Sequence, residues 1–520
     1  LSPDTKKVLA GMGIDFSGRF PTLTRPAGLD SHYDPGSGFF RFHYTVTGDD
    51  AVDPSDGDGD GVPDYVNTVA DAFRDAYNTE RVSFGLEKPP SDGWYPENGG
   101  NELYDVYVHN LGPNYYGETV PEKYANNDTG DNENSPGKEE NAFTSYINVQ
   151  NDFGRFPPSE LESIQVTAAH ELFHAIQFGY DGWEAVWLLE ATATWMEDEV
   201  FDDVNDNYQY LKQWFQEPHI ALDSDTSPHW YGSWIFFRYL SEHAGGPATV
   251  RKIFEQSVRH NSQERDFSIL TIDEVLRRQG TSFGGSLSSM AIANQILSSE
   301  PAAGDYSYEE ASDYRDFGIR PTYRKTIVLS DTSYTLVYDG GELMRNASHY
   351  TEVIPASGPL KVSFLPVSGE VRFRVNGIVR TATDVISVHD IGNNRIILVP
   401  QDVETVVLSV VTDTMEDGDY NYSIVLEPEV PLPSRITLYP NFPNPFNATT
   451  TFRFFLPKPE EVTLSIFDLL GRNVGNVYLA DVKEGFNDTR FDARHLPSGV
   501  YVARLNSPAR TVSRRFTLIK

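Results

Sequence analysis

Ser159-Glu160-Leu161-Glu162-Ser163-Ile164-Gln165-Val166-Thr167-Ala168-Ala169-His170-Glu171-Leu172-Phe173-His174-Ala175-Ile176-Gln177-Phe178-Gly179 is the stretch from which the rest of the chain can be read. Ser159 and Glu162 have the spacing of a capping box, and Pro157-Pro158 precede them. Leu161, Ile164, Ala168, Leu172 and Ile176 recur at helical period, and Gly179 suits a stop. The spacing predicts one helix with a buried stripe and the pattern HExxH, His170 to His174, in its middle. On a helix, residues four apart share a face, so both imidazoles can reach one metal ion. Glu171 then stands beside the ion, where it can take a proton from water.

A catalytic zinc needs a third protein ligand and one open position. Asp181-Gly182 predicts a turn, and a second apolar helix follows through Trp187, Leu188, Ala191 and Trp195. Within it Glu190 is the expected third ligand, flanked by small residues that let two helices approach closely. Glu197 is the rival ligand, although Glu197-Asp198-Glu199 reads as a solvated acidic turn. Hydrolysis also requires a donor for the oxyanion. His229-Trp230-Tyr231 supplies two candidates, Tyr231 first and His229 second, while an aromatic core role for Tyr231 stays open. His43 and His109 lie in strand-like stretches and read as structural.

Two histidines with a downstream Glu, in the form HExxH…WxxExxA, resemble the gluzincin class of metallopeptidases. The chain is more closely similar to a family of secreted bacterial HExxH metalloproteases first named from myxobacterial genomes. That resemblance covers most of residues 38–240. It includes Phe40-Arg41-Phe42-His43-Tyr44-Thr45-Val46-Thr47-Gly48, Val62-Pro63-Asp64-Tyr65 and Tyr104-Asp105-Val106-Tyr107-Val108. It implies zinc, Glu171 as general base and Glu190 as third ligand. Thermolysin-like members carry Asp four residues after that ligand, whereas Thr194 stands here, so the groups that orient the histidines must come from elsewhere.

Asp56-Gly57-Asp58-Gly59-Asp60-Gly61-Val62-Pro63-Asp64 has carboxylates at alternate positions and glycines that let a loop wrap. Asp56, Asp58, Asp60 and Asp64 are the expected calcium ligands, in a loop spanning about residues 56–67. Asn67 replaces the Glu that closes an EF-hand, so the loop is closer to thrombospondin- or dockerin-type repeats. A flexible acidic turn is the plainer reading. Asn126 to Asn134 is a second oxygen-rich segment, either another calcium loop or an exposed one.

The 41 basic and 76 acidic residues leave a net charge of −35, a poor match for nucleic acid or anionic membranes. Cysteine is absent, which excludes disulfides and thiol chemistry. No stretch is long and apolar enough for a transmembrane helix. Leu1-Ser2-Pro3-Asp4 carries no signal-peptide pattern, so the expectation is either a removed leader or no secretion. The other end decides. From Leu438-Tyr439-Pro440-Asn441 onward, short alternating strands and a Leu470-Gly471-Arg472 turn describe a small β-sandwich of about 80 residues. It resembles the type A sorting domain of the type IX secretion system. The resemblance implies engagement of that machinery, export across both membranes of a Bacteroidota-like cell, and release or surface attachment.

Between the two ends, Ala248 to Phe254 and Ile272 to Leu276 read as helices. From about Arg320 the period becomes two, in Thr326–Leu329, Leu360–Phe364, Val371–Val375, Ile396–Val399 and Thr405–Val411. A sandwich of roughly 100 residues without catalytic groups is expected there, joined by Glu429-Val430-Pro431-Leu432-Pro433 to the tail.

The expected architecture is therefore multidomain. An α+β gluzincin-like zinc-peptidase domain spans 1–318, a β-sandwich accessory domain 319–430, and the sorting sandwich 435–520. The expected activity is a secreted zinc endopeptidase acting on a protein or peptide. The alternatives are a secreted calcium-binding adhesive protein with a structural metal site, and a zinc hydrolase with a non-peptide substrate.

Overall fold

The computed structural model describes residues 24–520 apart from 37, 126–133, 261, 264, 330–334, 356–359, 368–371, 382–385, 392–402, 417, 429–434, 480–481 and 509. Most of the second oxygen-rich segment, the expected strand at 396–399 and the 429–433 linker lie outside the described residues. The chain forms two compact units, Leu1–Ala356 with Lys361–Glu427, and Ser357–Leu360 with Pro428–Lys520.

The first unit begins with a five-stranded sheet. Its strands are β1 (Ser31–Tyr33), β2 (Phe40–Tyr44), β3 (Tyr104–His109), β4 (Gly117–Tyr124) and β5 (Phe143–Gln150), in the spatial order β1-β2-β3-β5-β4. The three central strands are parallel, and β1 and β4 run antiparallel at the edges. Alternation along β2 buries Phe40, Phe42 and Tyr44, and Phe73 of helix α1 (Asp64–Tyr77) packs on the first two rings. A π-helical turn, Asn78–Ser83, extends α1.

Helix α2 (Glu160–Tyr180) lies against β4, β5 and α1. The capping box forms as expected: Glu162 N–H donates to Ser159 Oγ at 3.3 Å, and Ser159 N–H donates to Glu162 Oε2 at 2.8 Å. Leu161 is exposed rather than part of the buried stripe, and the helix runs through Gly179 to Tyr180. Helix α3 (Val186–Val200) packs along α2 and is buried from Val186 to Asp198. Ala191, Thr192, Ala193 and Thr194 are fully enclosed, the short side chains that a close helix pair requires. Seven further helices complete the layer: α4 (Tyr208–Gln216), α5 (His229–Gly232), α6 (Trp234–His243), α7 (Pro247–Ser257), α8 (Ser268–Arg278), α9 (Phe283–Ile296) and α10 (Ala311–Asp316).

The period-two region forms the expected sandwich. Its strands are β6 (Lys325–Val328), β7 (Leu336–Met344), β8 (Ser348–Ile354), β9 (Leu360–Pro366), β10 (Arg372–Thr381), β11 (Ile386–Asp390), β12 (Val403–Asp413) and β13 (Asp419–Pro428). One sheet has the order β11-β10-β12-β8-β6 and the other β7-β13-β9. Phe364, Phe373 and Tyr422 meet between the sheets with ring centroids 5.2–5.9 Å apart.

No compact-unit boundary falls at residue 318. Tyr350, Ile378, Val407 and Val411 belong to the same continuous apolar core as Phe173, Trp187 and Trp234. Tyr350 OH donates to the Ala291 carbonyl at 2.9 Å, and Asn376 Nδ2 donates to Ser288 Oγ at 2.9 Å. The sandwich is thus the lid on α9 rather than a separable accessory module.

The second unit contains β14 (Thr437–Leu438), β15 (Thr449–Leu456), β16 (Val462–Phe467), β17 (Asn473–Leu479), β18 (Gly485–Asp492), β19 (Gly499–Asn506) and β20 (Thr511–Leu518). They pair as β14-β15-β18 and β17-β16-β19-β20 around Phe452, Phe454, Leu464, Ile466, Phe491 and Phe516. This is the all-β tail expected from the sequence, with its own core.

The shared core of the first unit makes a truncation informative. A chain ending at residue 318 should give no cooperative thermal transition, because Ala291, Ser288 and their apolar neighbours lose their cover. A chain ending at residue 427 should unfold cooperatively. A sharp transition from the shorter chain would refute the single-core reading.

Candidate metal centre

His170 and His174, one turn apart on α2, point their Nε2 atoms at each other across 3.0 Å. Glu190 Oε2 comes from α3 and lies 3.4 Å from His170 Nε2 and 3.6 Å from His174 Nε2. All three side chains sit at or below the protein surface, and Glu190 is buried.

The opposite nitrogen of each ring is already committed. His170 Nδ1 is 2.7 Å from Glu197 Oε1. His174 Nδ1 is 2.7 Å from Gln177 Oε1. The Gln177 amide cannot be turned round, because its Nε2 donates to the Leu189 carbonyl and to Thr192 Oγ1, both at 2.9 Å. Both Nδ1 atoms therefore act as donors, and both Nε2 atoms present lone pairs. Two facing lone pairs and a buried carboxylate demand positive charge between them. The same demand raises His170 well above the ordinary imidazole range: burial opposes its charge, but Glu190 and Glu197 outweigh burial. Glu190 is held below the carboxylate range, since His174 and His170 overcome the effect of its burial.

The donor triangle fits a small tetrahedral ion. Bonds of about 2.0–2.1 Å give ligand-to-ligand edges of about 3.3 Å in a tetrahedron, against the 3.0, 3.4 and 3.6 Å found here.

Glu171 lines the adjacent cleft without joining the triangle. Thr119 Oγ1, on the edge strand β4, lies 2.7 Å from Glu171 Oε2. Burial raises the Glu171 pKa, opposed by the charges of His170 and His174. Gly117 opens β4 where any larger residue would collide. A Cβ there would come within 2.8 Å of both Glu171 Cγ and Thr167 Cγ2.

Glu197 is not a member of the donor triangle and not a solvated turn residue. It is buried on α3, where burial pushes it up to about 7 against the pull of His170. It fixes the His170 ring through Nδ1, and Gln177 fixes the His174 ring in the same way. Asp198 is buried as well and Glu199 half-buried: Asp198 pairs with Arg238 at 3.0 Å, and Glu199 accepts from Trp195 Nε1 at 2.9 Å.

The two oxyanion candidates diverge because they are neighbours on the short helix α5. Tyr231 faces the cleft, with its ring centroid 6.3 Å from that of His170 and stacked on Tyr210 at 4.9 Å. The charge of Glu190, then burial, raises its pKa, so the phenol keeps its proton. His229 turns inward. Its Nε2 lies 3.1 Å from the Ala221 carbonyl, its ring lies along Trp214, and burial lowers its pKa to about 4. It does not line the cleft. His43 Nε2 lies 2.7 Å from Asp105 Oδ1.

The cleft beside the triangle has a volume of about 320 Å³. Tyr115, Tyr116, Gly117, Val166, Asp206, Tyr210 and Tyr231 contribute to its walls.

In the Asp-rich loop, carboxylate oxygens of Asp56, Asp58 and Asp64 lie within 4.8 Å of one another, all exposed. Asp56 accepts from the Gly59 and Gly61 amides and Asp64 from the Gly57 amide. Asp60 stays out of this group. Its oxygens accept from Val62 N–H at 2.7 Å and Asn67 Nδ2 at 3.2 Å, so the residue at position twelve closes the loop through Asp60.

Residues 440–520 match the secretion system C-terminal sorting domain. The tail marks the chain for type IX export across the outer membrane of Bacteroidota, and among the described residues no helix is long and apolar enough to cross a membrane. Residues 155–283, which carry the donor triangle, match a family of unknown function (DUF6055). No curated protein matches the chain. Among solved structures, it overlaps PorZ, a surface component of the type IX secretion system of Porphyromonas gingivalis, at 17% identity over 19% of this chain and 14% of that one, TM-score 0.12. It overlaps β-glucuronidases of Faecalibacterium prausnitzii (10% identity, 33% and 36% of the two chains, TM-score 0.13) and Parabacteroides merdae (12%, 32% and 28%, TM-score 0.14). The chain thus spans well under half of each, and its function has to be sought in its own residues.

The turn that sets α3 against α2 has its own acid pair. Asp181 accepts from Trp183 N–H at 2.9 Å and Asn141 Nδ2 at 3.1 Å, and Glu184 accepts from Ser262 Oγ at 3.1 Å. Burial pushes Asp181 up to about 7, against those hydrogen bonds. The folded state therefore retains a proton that the unfolded chain releases near pH 4. Stability should be fullest below pH 4 as far as Asp181 is concerned, and should fall as pH rises from about 4 to about 7. Asp181→Asn should flatten that slope in denaturant unfolding measured at pH 5 and pH 8. An unchanged slope would remove Asp181 from the account.

Proposed function

We propose that the chain is a secreted zinc-dependent endopeptidase. The observation that carries the reading is the pair of imidazole lone pairs 3.0 Å apart, completed by Glu190, with each Nδ1 locked to an acceptor. Nitrogen and carboxylate donors in that number suit zinc and leave its fourth position to water or substrate. When bound, zinc acidifies a water and polarises the carbonyl under attack.

The chain's own residues supply the proton traffic. Glu171, kept basic by burial and steadied by Thr119, takes the proton from the attacking water and returns it to the departing amine. Tyr231 keeps its proton and faces the cleft, so its hydroxyl is the donor to the developing oxyanion. Glu197 and Gln177 hold the two rings in the tautomer that offers Nε2. A metal site with only a structural task would have no use for a buried base at Glu171 with its own hydroxyl partner. Calcium is the fitting occupant of Asp56, Asp58 and Asp64, whose hard oxygens converge on a glycine-rich loop.

Metal analysis and proteolysis of casein test the reading together. The purified full chain should carry about one zinc at the triangle, cleave casein, lose cleavage with 1,10-phenanthroline and regain it with added zinc. Glu171→Gln should retain zinc and lose turnover by roughly three orders of magnitude or more. Undiminished cleavage by that variant, or absence of zinc in the active protein, would refute the assignment.

A further inference from the structure

The three carboxylates lining the cleft have different degrees of commitment. Glu171 is matched with Thr119, and Glu197 with His170. Asp206, in the loop leading into α4, is hydrogen-bonded by Gln209 but has no cationic partner among the described residues. It is partly buried, and burial pushes it up to about 6, with Glu162 adding to the rise. Among the described residues that line the cleft there is no lysine or arginine.

Asp206 is flanked by aromatic surface. Asp206, Tyr116 and Tyr210 line the same cleft. Tyr116 is braced by Phe156 at 4.3 Å, and Tyr210 is stacked on Tyr231 at 4.9 Å. Electron-rich ring faces and an unneutralised carboxylate attract the same kind of group, a desolvated organic cation. Val166, Thr167, His170 and Glu171 of α2 line the cleft together with Asp206. Asp206 therefore shares one cleft with His170 and Glu171.

Resting on the peptidase reading, we infer that this part of the cleft is a subsite for a cationic side chain, lysine or arginine, next to the scissile bond, with Asp206 as the specificity-determining residue. The aliphatic stem of either residue would lie between the tyrosine rings, and its charged end would meet the carboxylate.

Replacing arginine by citrulline tests this, because the two side chains differ by one charge at nearly constant shape. The zinc-loaded full chain should cleave fluorogenic arginine peptides with a kcat/KM roughly tenfold or more above their citrulline counterparts. Asp206→Asn should bring that ratio towards one. Equal cleavage of the two series by the unaltered protein, or an unchanged ratio in Asp206→Asn, would overturn the subsite. If neither series is cleaved, calorimetric binding of the uncleaved peptides decides. Arginine binding roughly tenfold or more tighter, with that preference abolished in Asp206→Asn, would sustain the cation site whatever casein cleavage says of the peptidase reading. Equal binding would end the subsite, leaving the peptidase reading to casein cleavage.

Discussion

Two nitrogen lone pairs facing each other across 3.0 Å is the constraint around which the first unit is organised. Such an arrangement is repulsive unless positive charge fills it, so the surrounding structure must hold it in place. Glu197 and Gln177 do this from the far side of each ring, and Gln177 is itself clamped by Leu189 and Thr192 of α3. The helix that supplies Glu190 therefore also supplies, through one glutamine, the orientation of His174. Local geometry and helix packing are one problem here: shifting α3 along α2 would misplace the third donor and release the second ring together.

This explains the run of short side chains in the middle of α3. Ala191, Thr192, Ala193 and Thr194 keep α3 close, while Gly117 lets the edge strand β4 reach Glu171. Gly182 serves the connecting turn in the same way, since a Cβ there would strike the Phe143 ring at 2.4 Å. The five-stranded sheet gives α2 a floor, and its edge strand brings Thr119 to Glu171.

The donor triangle was legible in the sequence because a helical period fixes who shares a face with whom. His170, His174 and the enclosed position of Glu190 all follow from that rule. Glu197 was not, because three consecutive acids read as solvent-facing. What overturns that reading is long-range: His170, Arg238 and Trp195 each receive one of them. Tyr231 and His229 could not be told apart for a related reason. They sit two residues apart on one short helix, and only the position of Trp214 and the Ala221 carbonyl decides which ring turns inward. The period-two strands of the sandwich were legible too, but not its union with the helical layer. Alternation says that one face is buried without saying what buries it, and here α9 does. In the Asp-rich loop, spacing nominated Asp60 beside its neighbours, whereas Asn67 and the Val62 amide take its oxygens.

The excess of acid over base, 76 against 41, shapes how the interior is neutralised. Where a cation is buried it serves several carboxylates at once. Arg25 meets Asp92, Asp105 and Glu122, and Arg238 meets Asp198, Glu199, Glu242 and Glu309. With cations rationed in this way, acidic groups without one must be served otherwise. Asp181 is served by a proton held up to about neutral pH. Glu190 is served by whatever charge enters the histidine pair, and the exposed aspartates of the loop by backbone amides. Asp206 stands out against this pattern: it is placed where substrate, rather than protein, can bring the missing charge.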